Sequence, residues 1–153
     1  MPITAPRRWW SESTAIDKEQ RMKLIAVLIF ATVLPAATAA SPKSDYMIHC
    51  MGCHRLDGQG MPPEVPAFDR MLGEIITRPE GRSYLIQVPG ASQSPLGDEQ
   101  LARVLTWILR EFSSTSLPGD FQDISLQEVQ KFRPFTLENP KLVRQKLLAL
   151  TRH

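Results

Sequence analysis

The chain has two cysteines, three positions apart, with a histidine directly after the second: Cys50-Met51-Gly52-Cys53-His54. On one helical turn, thiols at that spacing lie on one side and the next side chain projects beside them. This is the C-x-x-C-H pattern of covalent haem attachment. The two thiols can reach the vinyl-derived carbons on one edge of a porphyrin, and the His54 imidazole can ligate its iron as proximal ligand. Other uses of the pair fit less well. A structural zinc site takes four ligands, yet there is no second cysteine pair, and His49, His54 and His153 have no finger spacing. A thioredoxin-like C-x-x-C needs a βαβ context, and no stretch of the chain alternates convincingly with period two. A disulfide across so tight a loop would be strained and would add little stability.

The sequence after the motif supports a helical chain that needs a prosthetic group. Asp57-Gly58-Gln59-Gly60 is turn material, and Met61-Pro62-Pro63-Glu64-Val65-Pro66 excludes regular helix or central strand. Proline-broken loops between short helices bury little core unaided, and a haem would supply the missing apolar mass. The best helix spans Asp98 to Phe112, where Leu101, Val104, Leu105, Ile108, Leu109 and Phe112 recur at helical steps. Asp98 and Glu99 in its first turn and Arg110 in its last suit the helix dipole. A short helix is expected from about Lys43 into the motif, and another from Gly81 to Val88, ended by Pro89-Gly90. In the tail, Ser125-Leu126-Gln127-Glu128 reads as a capping box, opening a helix that stops before Pro134. Asn139-Pro140 reads as an N-cap with proline in the first turn. The helix it opens presents Leu142, Val143, Leu147, Leu148 and Leu150.

The front of the chain reads as an export signal. Arg21 and Lys23 precede Leu24 to Leu34, an apolar run of 11 residues, then Pro35 and the small residues Ala36 to Ala40. Ala37-Thr38-Ala39 fits the cleavage pattern. The alternative is an uncleaved anchor, although Leu24 to Ala40 gives only 17 residues where a span needs about 20. Met22 is an alternative start. The first 39 residues hold five basic and three acidic side chains, which leaves 13 of each sign in the remainder. A neutral working protein with no basic stripe excludes a nucleic-acid partner. The expected organisation is therefore residues 1–39 as signal region, 41–112 as haem domain, 113–120 as a breaker-rich linker, and 121–153 as a helical C-terminal extension.

From Asp45 to Phe112 the chain resembles the class I cytochrome c family. The short helix Asp45 to Cys50 leads into CMGCH, and Gly58-Gln59-Gly60 resembles the family's glycine-bearing loop. Val65-Pro66-Ala67-Phe68 resembles a segment whose proline carbonyl accepts a hydrogen bond from the proximal imidazole, and Pro66 lies 12 residues after His54. Such a bond orients the ligand and raises its basicity. Leu96-Gly97-Asp98-Glu99-Gln100-Leu101 resembles the entry to the family's last helix, and Trp107 an aromatic there that packs near the haem and the first helix. The resemblance implies an all-α cytochrome c-like fold around one covalent haem c. It implies attachment at Cys50 and Cys53, iron ligation by His54, and support from Pro66.

One departure stands out. The family supplies a methionine as second axial ligand shortly before the last helix, but Pro89 to Leu96 contains none, and no methionine follows Met71. Weak candidates for that ligand are Met61, Met71 and Gln93; the other possibility is an open position. His49 reads as a surface or propionate-side residue and His153 as part of a frayed terminus. Arg78 and Arg82 are candidates for pairing with haem propionates, beside the plainer reading of a solvated loop. Tyr84, Phe68 and Trp107 read as core packing. Lys131, Arg133, Lys141, Arg144 and Lys146 alternate with apolar residues as solvated faces do.

The expected function is that of an exported, periplasmic monohaem cytochrome passing single electrons to or from a redox protein or dehydrogenase, without itself transforming a substrate. Contact with a membrane is expected only if the signal segment stays uncleaved. Two alternatives remain: an open-site haem protein that binds a small ligand or has peroxidase-like activity, and a haem subunit docked on a larger dehydrogenase through its tail.

Overall fold

The computed structural model describes residues 17–19, 22 and 40–151. The chain divides into two compact units, Met1–Thr38 and Ala39–His153. The signal-like run, its cleavage pattern and His153 lie outside the described residues. Among the described residues no helix is long and apolar enough to cross a membrane.

The second unit is all helical among its described residues, with eight helices and only an isolated bridge between Met61 and Val65. They are α1 (Pro42–His49), α2 (Met51–His54), α3 (Arg70–Ile75), α4 (Pro79–Gln87), α5 (Pro89–Ser92), α6 (Asp98–Phe112), α7 (Leu126–Phe132) and α8 (Pro140–Thr151). The central α6 matches the range read from its periodicity, and buries Leu101, Val104, Leu105, Ile108 and Leu109. α1, α3 and α7 all pack on it. Helix α1 begins where Ser41 Oγ accepts from Ser44 N–H at 3.1 Å. It buries Tyr46, whose ring lies 5.1 Å from Trp107 and 5.4 Å from Phe112. That aromatic contact joins α1, the helix that leads into the Cys50–His54 motif, to α6.

Helix α3 was not anticipated. Asp69 Oδ1 caps it, accepting from Met71 N–H at 2.9 Å, and Leu72, Ile75 and Ile76 enter the core. Helix α4 starts at Pro79, two residues earlier than expected. Gly81 is required at the α3–α4 junction, because a Cβ there would lie 1.8 Å from the Ile75 carbonyl oxygen.

The tail is packed on the helices that precede it. Helix α7 lies against α4 and α6, and α8 against α3 and α4. Both tail caps read from the sequence are present. Ser125 Oγ accepts from Glu128 N–H at 3.2 Å, and Asn139 Oδ1 accepts from Leu142 N–H at 3.0 Å. Ile124, Val129 and Leu147 are buried in the common core, while Leu142 and Leu150 stay exposed.

Several basic side chains have partners that the sequence reading did not assign to them. Arg82 is not free for a propionate: it pairs with Glu128 at 2.5 Å and donates to the carbonyls of Gln122 and Asp123. Arg78 donates to the Leu150 carbonyl at 2.9 Å. Arg133 is not on a solvated face, since it pairs with Asp98 at 2.6 Å and donates to the carbonyls of Ser92 and Ser94. The cause is common to all three. Chain ends and short helices leave carbonyls without intrahelical donors, and a guanidinium supplies several donors in one fork.

Candidate haem site

An apolar cavity of about 540 Å³ lies between the attachment motif, α3, the α4–α5 corner, α6 and the start of α8. Its size is within the ordinary range for cofactor sites. Cys50, Cys53 and His54 line one part of it; Leu72, Ile75, Leu85, Leu101, Val104 and Ile108 supply apolar wall elsewhere. Backbone geometry presents the motif. Helix α2 is a single turn, closed by bonds to the Cys50 carbonyl from the N–H groups of Cys53 (3.2 Å) and His54 (3.0 Å). The turn stops at Arg55, whose φ of 60° is left-handed. The Tyr46 hydroxyl donates to the Arg55 carbonyl and so ties α1 to the exit of the motif.

The side chains have the chemistry that haem attachment needs. Cys50 and Cys53 are free thiols, the first half-buried and the second exposed. Burial, reinforced by Asp45, pushes the Cys50 pKa up to about 11, so it is a thiol at neutral pH. His54 stacks on Phe68 with ring centroids 3.8 Å apart. Burial lowers its pKa to about 4, with the Pro66 backbone acting in the opposite direction. Its imidazole is therefore neutral near pH 7, the state that can bind a metal. Its Nδ1 is buried without a fully formed hydrogen bond. Apolar walls, two free thiols and a neutral, under-bonded imidazole together fit a haem.

The remaining candidates fall in different places. Pro66 and Met71 line the cavity, whereas Met61 and Gln93 are not among its lining residues. His49 is exposed and lies at the rim. Tyr84 and Phe68 line the cavity as well as packing in the core, while Trp107 packs on Tyr46 and lies outside the cavity wall. The lining residues Asn139, Lys141 and Arg144 come from the start of α8 and the residue before it. Their place in the site was missed, and Lys141 and Arg144 were both read as parts of a solvated face. Spacing within the tail signals a helix but carries no information about which distant surface covers that helix.

Cytochrome c-552 from a strain of Thermus thermophilus is 31% identical over 130 residues, covering 73% of this chain and 80% of the relative. The chain belongs to the class I c-type cytochromes. A second cytochrome c-552 from Thermus thermophilus is 32% identical over 117 residues, covering 65% of this chain and 81% of the relative. No protein-family model matches the chain. The all-helical arrangement is thus a cytochrome c-like fold, and the protein is an electron-transfer haem protein. Proteins of this class are typically electron carriers rather than enzymes.

Proposed function

We propose that this cytochrome carries one haem c, joined through thioethers to Cys50 and Cys53, with His54 as the proximal iron ligand and Pro66 supporting the imidazole. The observation that carries the reading is the common placement of the two thiols and the neutral imidazole on one apolar cavity. When bound, the haem supplies a one-electron ferric–ferrous couple. The chain's own residues hold it, exclude water around it and set the protonation of the ligand. Exposure of Cys53 and of the neighbouring Ile48 and Leu56 supports exchange of electrons at that edge. The partner is a redox protein or dehydrogenase, and the signal-like run Leu24 to Leu34 supports export to the periplasm.

A second reading, an open or weakly capped iron, is favoured by one feature: the Pro89–Leu96 segment, which lines the cavity, holds no methionine. Met71, the one thioether among the cavity-lining residues, comes from α3 and is the candidate ligand that would close the site instead. The test for both readings is production with a c-type maturation system, followed by mass measurement and absorption spectra with and without carbon monoxide. The carrier reading expects the added mass of one haem, lost in the Cys50→Ser/Cys53→Ser double variant, and a low-spin ferrous protein indifferent to carbon monoxide. A high-spin ferrous form that binds carbon monoxide readily would replace it with the open-site reading. A chain that takes up no haem defeats both.

A further inference from the structure

Arg82, Arg103, Arg110 and Arg133 each pair with a carboxylate, at 2.5, 3.1, 2.5 and 2.6 Å respectively. Arg144 is drawn into the fold as well, half-buried on α8, and has no carboxylate partner among the described ion pairs. It lines the mainly apolar cavity beside Tyr84, which is itself buried. The two side chains interact, because Arg144 opposes the rise that burial imposes on the Tyr84 pKa. Lys141, three residues earlier on the same helix, lines the cavity too. A half-buried guanidinium facing apolar walls is costly unless an anion meets it. Glu64 and Glu138 also line the cavity, but neither is paired with Arg144 among the described ion pairs.

We propose that Arg144, assisted by Lys141 and steadied by Tyr84, is the site that pairs with the haem's propionate carboxylates. The inference rests on the haem reading above. Arg78 and Arg82, the residues that sequence position favours for this role, are committed to the tail backbone. A guanidinium matches a carboxylate through two parallel N–H donors, which fixes orientation as well as charge. Helix α8 thereby becomes part of the cofactor site, and Arg144 a positioning residue for the haem.

The test is the midpoint potential of the holo-protein in wild type, Arg144→Gln, Arg144→Lys, Lys141→Gln and the control Arg103→Gln, whose charge lies off the cavity wall. Loss of a cation beside the propionates favours the ferric state. Arg144→Gln should shift the ferric-to-ferrous ratio roughly tenfold toward ferric, about 59 mV for one electron, and Arg144→Lys should recover most of it. A shift no larger than that of Arg103→Gln overturns the proposal. If Arg144→Gln does not accumulate, Lys141→Gln decides. A shift of roughly threefold or more toward ferric supports the site, and none overturns it. A wild-type chain with no haem on Cys50 and Cys53, seen by mass, overturns the haem reading and this inference with it. Intact haem with unmoved potentials overturns the inference alone.

Discussion

At the scale of single residues, the exit from the attachment turn holds a non-glycine residue in left-handed backbone, the one such residue among those described. Arg55 has φ 60° and ψ 170°, a region open mainly to glycine and costing about 1–3 kcal/mol for other residues. The conformation turns the chain sharply after His54 and lets the Arg55 carbonyl accept from Tyr46. Arg55→Gly should therefore stabilise the protein by about 1 kcal/mol. Relief of strain would outweigh the extra freedom glycine gives the unfolded chain. Denaturant unfolding of the two holo-proteins measures it, and a lower midpoint in the variant would contradict the strain argument. His54 illustrates a different residue-scale effect. Its neutrality comes from burial against Phe68, a neighbour 14 positions along the chain, so the motif supplies the ligand and the fold supplies its protonation state.

At the scale of elements, the tail is held by a side-chain network centred on Glu128. Hydrogen bonding from Arg82 is the main cause that pulls its carboxyl pKa from 4.5 down to about 2, with Ser125 adding to it and burial opposing it. A carboxylate whose pKa is depressed by folding contributes stability above its unfolded value. That contribution is lost as pH falls through the folded one. The melting temperature should accordingly fall between pH 4.5 and about 2. Glu128→Gln should melt lower than wild type near neutral pH, with the gap closing toward the folded pKa of about 2; a constant gap would remove Glu128 as its source. Periodicity and capping chemistry made α6, α7 and α8 legible, because those signals lie within the element. The same signal existed for α3: Asp69 as N-cap, then apolar residues at 71, 72, 75 and 76. The neighbouring prolines masked it. In the candidate site, Cys50, Cys53 and His54 were expected from motif spacing and Pro66 from the family resemblance, and all four line the cavity. Arg144 was not expected there, since its place on the cavity depends on α8 packing against α4.

At the scale of the molecule, the tail completes the core. Ile124, Val129 and Leu147 are each at most 4% exposed, and full burial of such side chains contributes about 1.5–3 kcal/mol apiece. Together that is comparable with the roughly 5–15 kcal/mol by which domains are stable. Leu147→Ala should cost about 2–5 kcal/mol, measured by denaturant unfolding of the holo-protein. A loss below about 1 kcal/mol would mean that α8 is dispensable to the core.

The wall of the candidate haem cavity is assembled from the two ends of the described unit. Cys53 stands at one end and Arg144, 91 positions later, at the other. Contacts so distant in sequence form late and slowly. The cavity is therefore open during the interval in which a rigid, flat porphyrin would have to enter it, and closure waits on the last helix. Distance along the chain, rather than a hinge in the finished fold, is what would leave the cofactor an entrance.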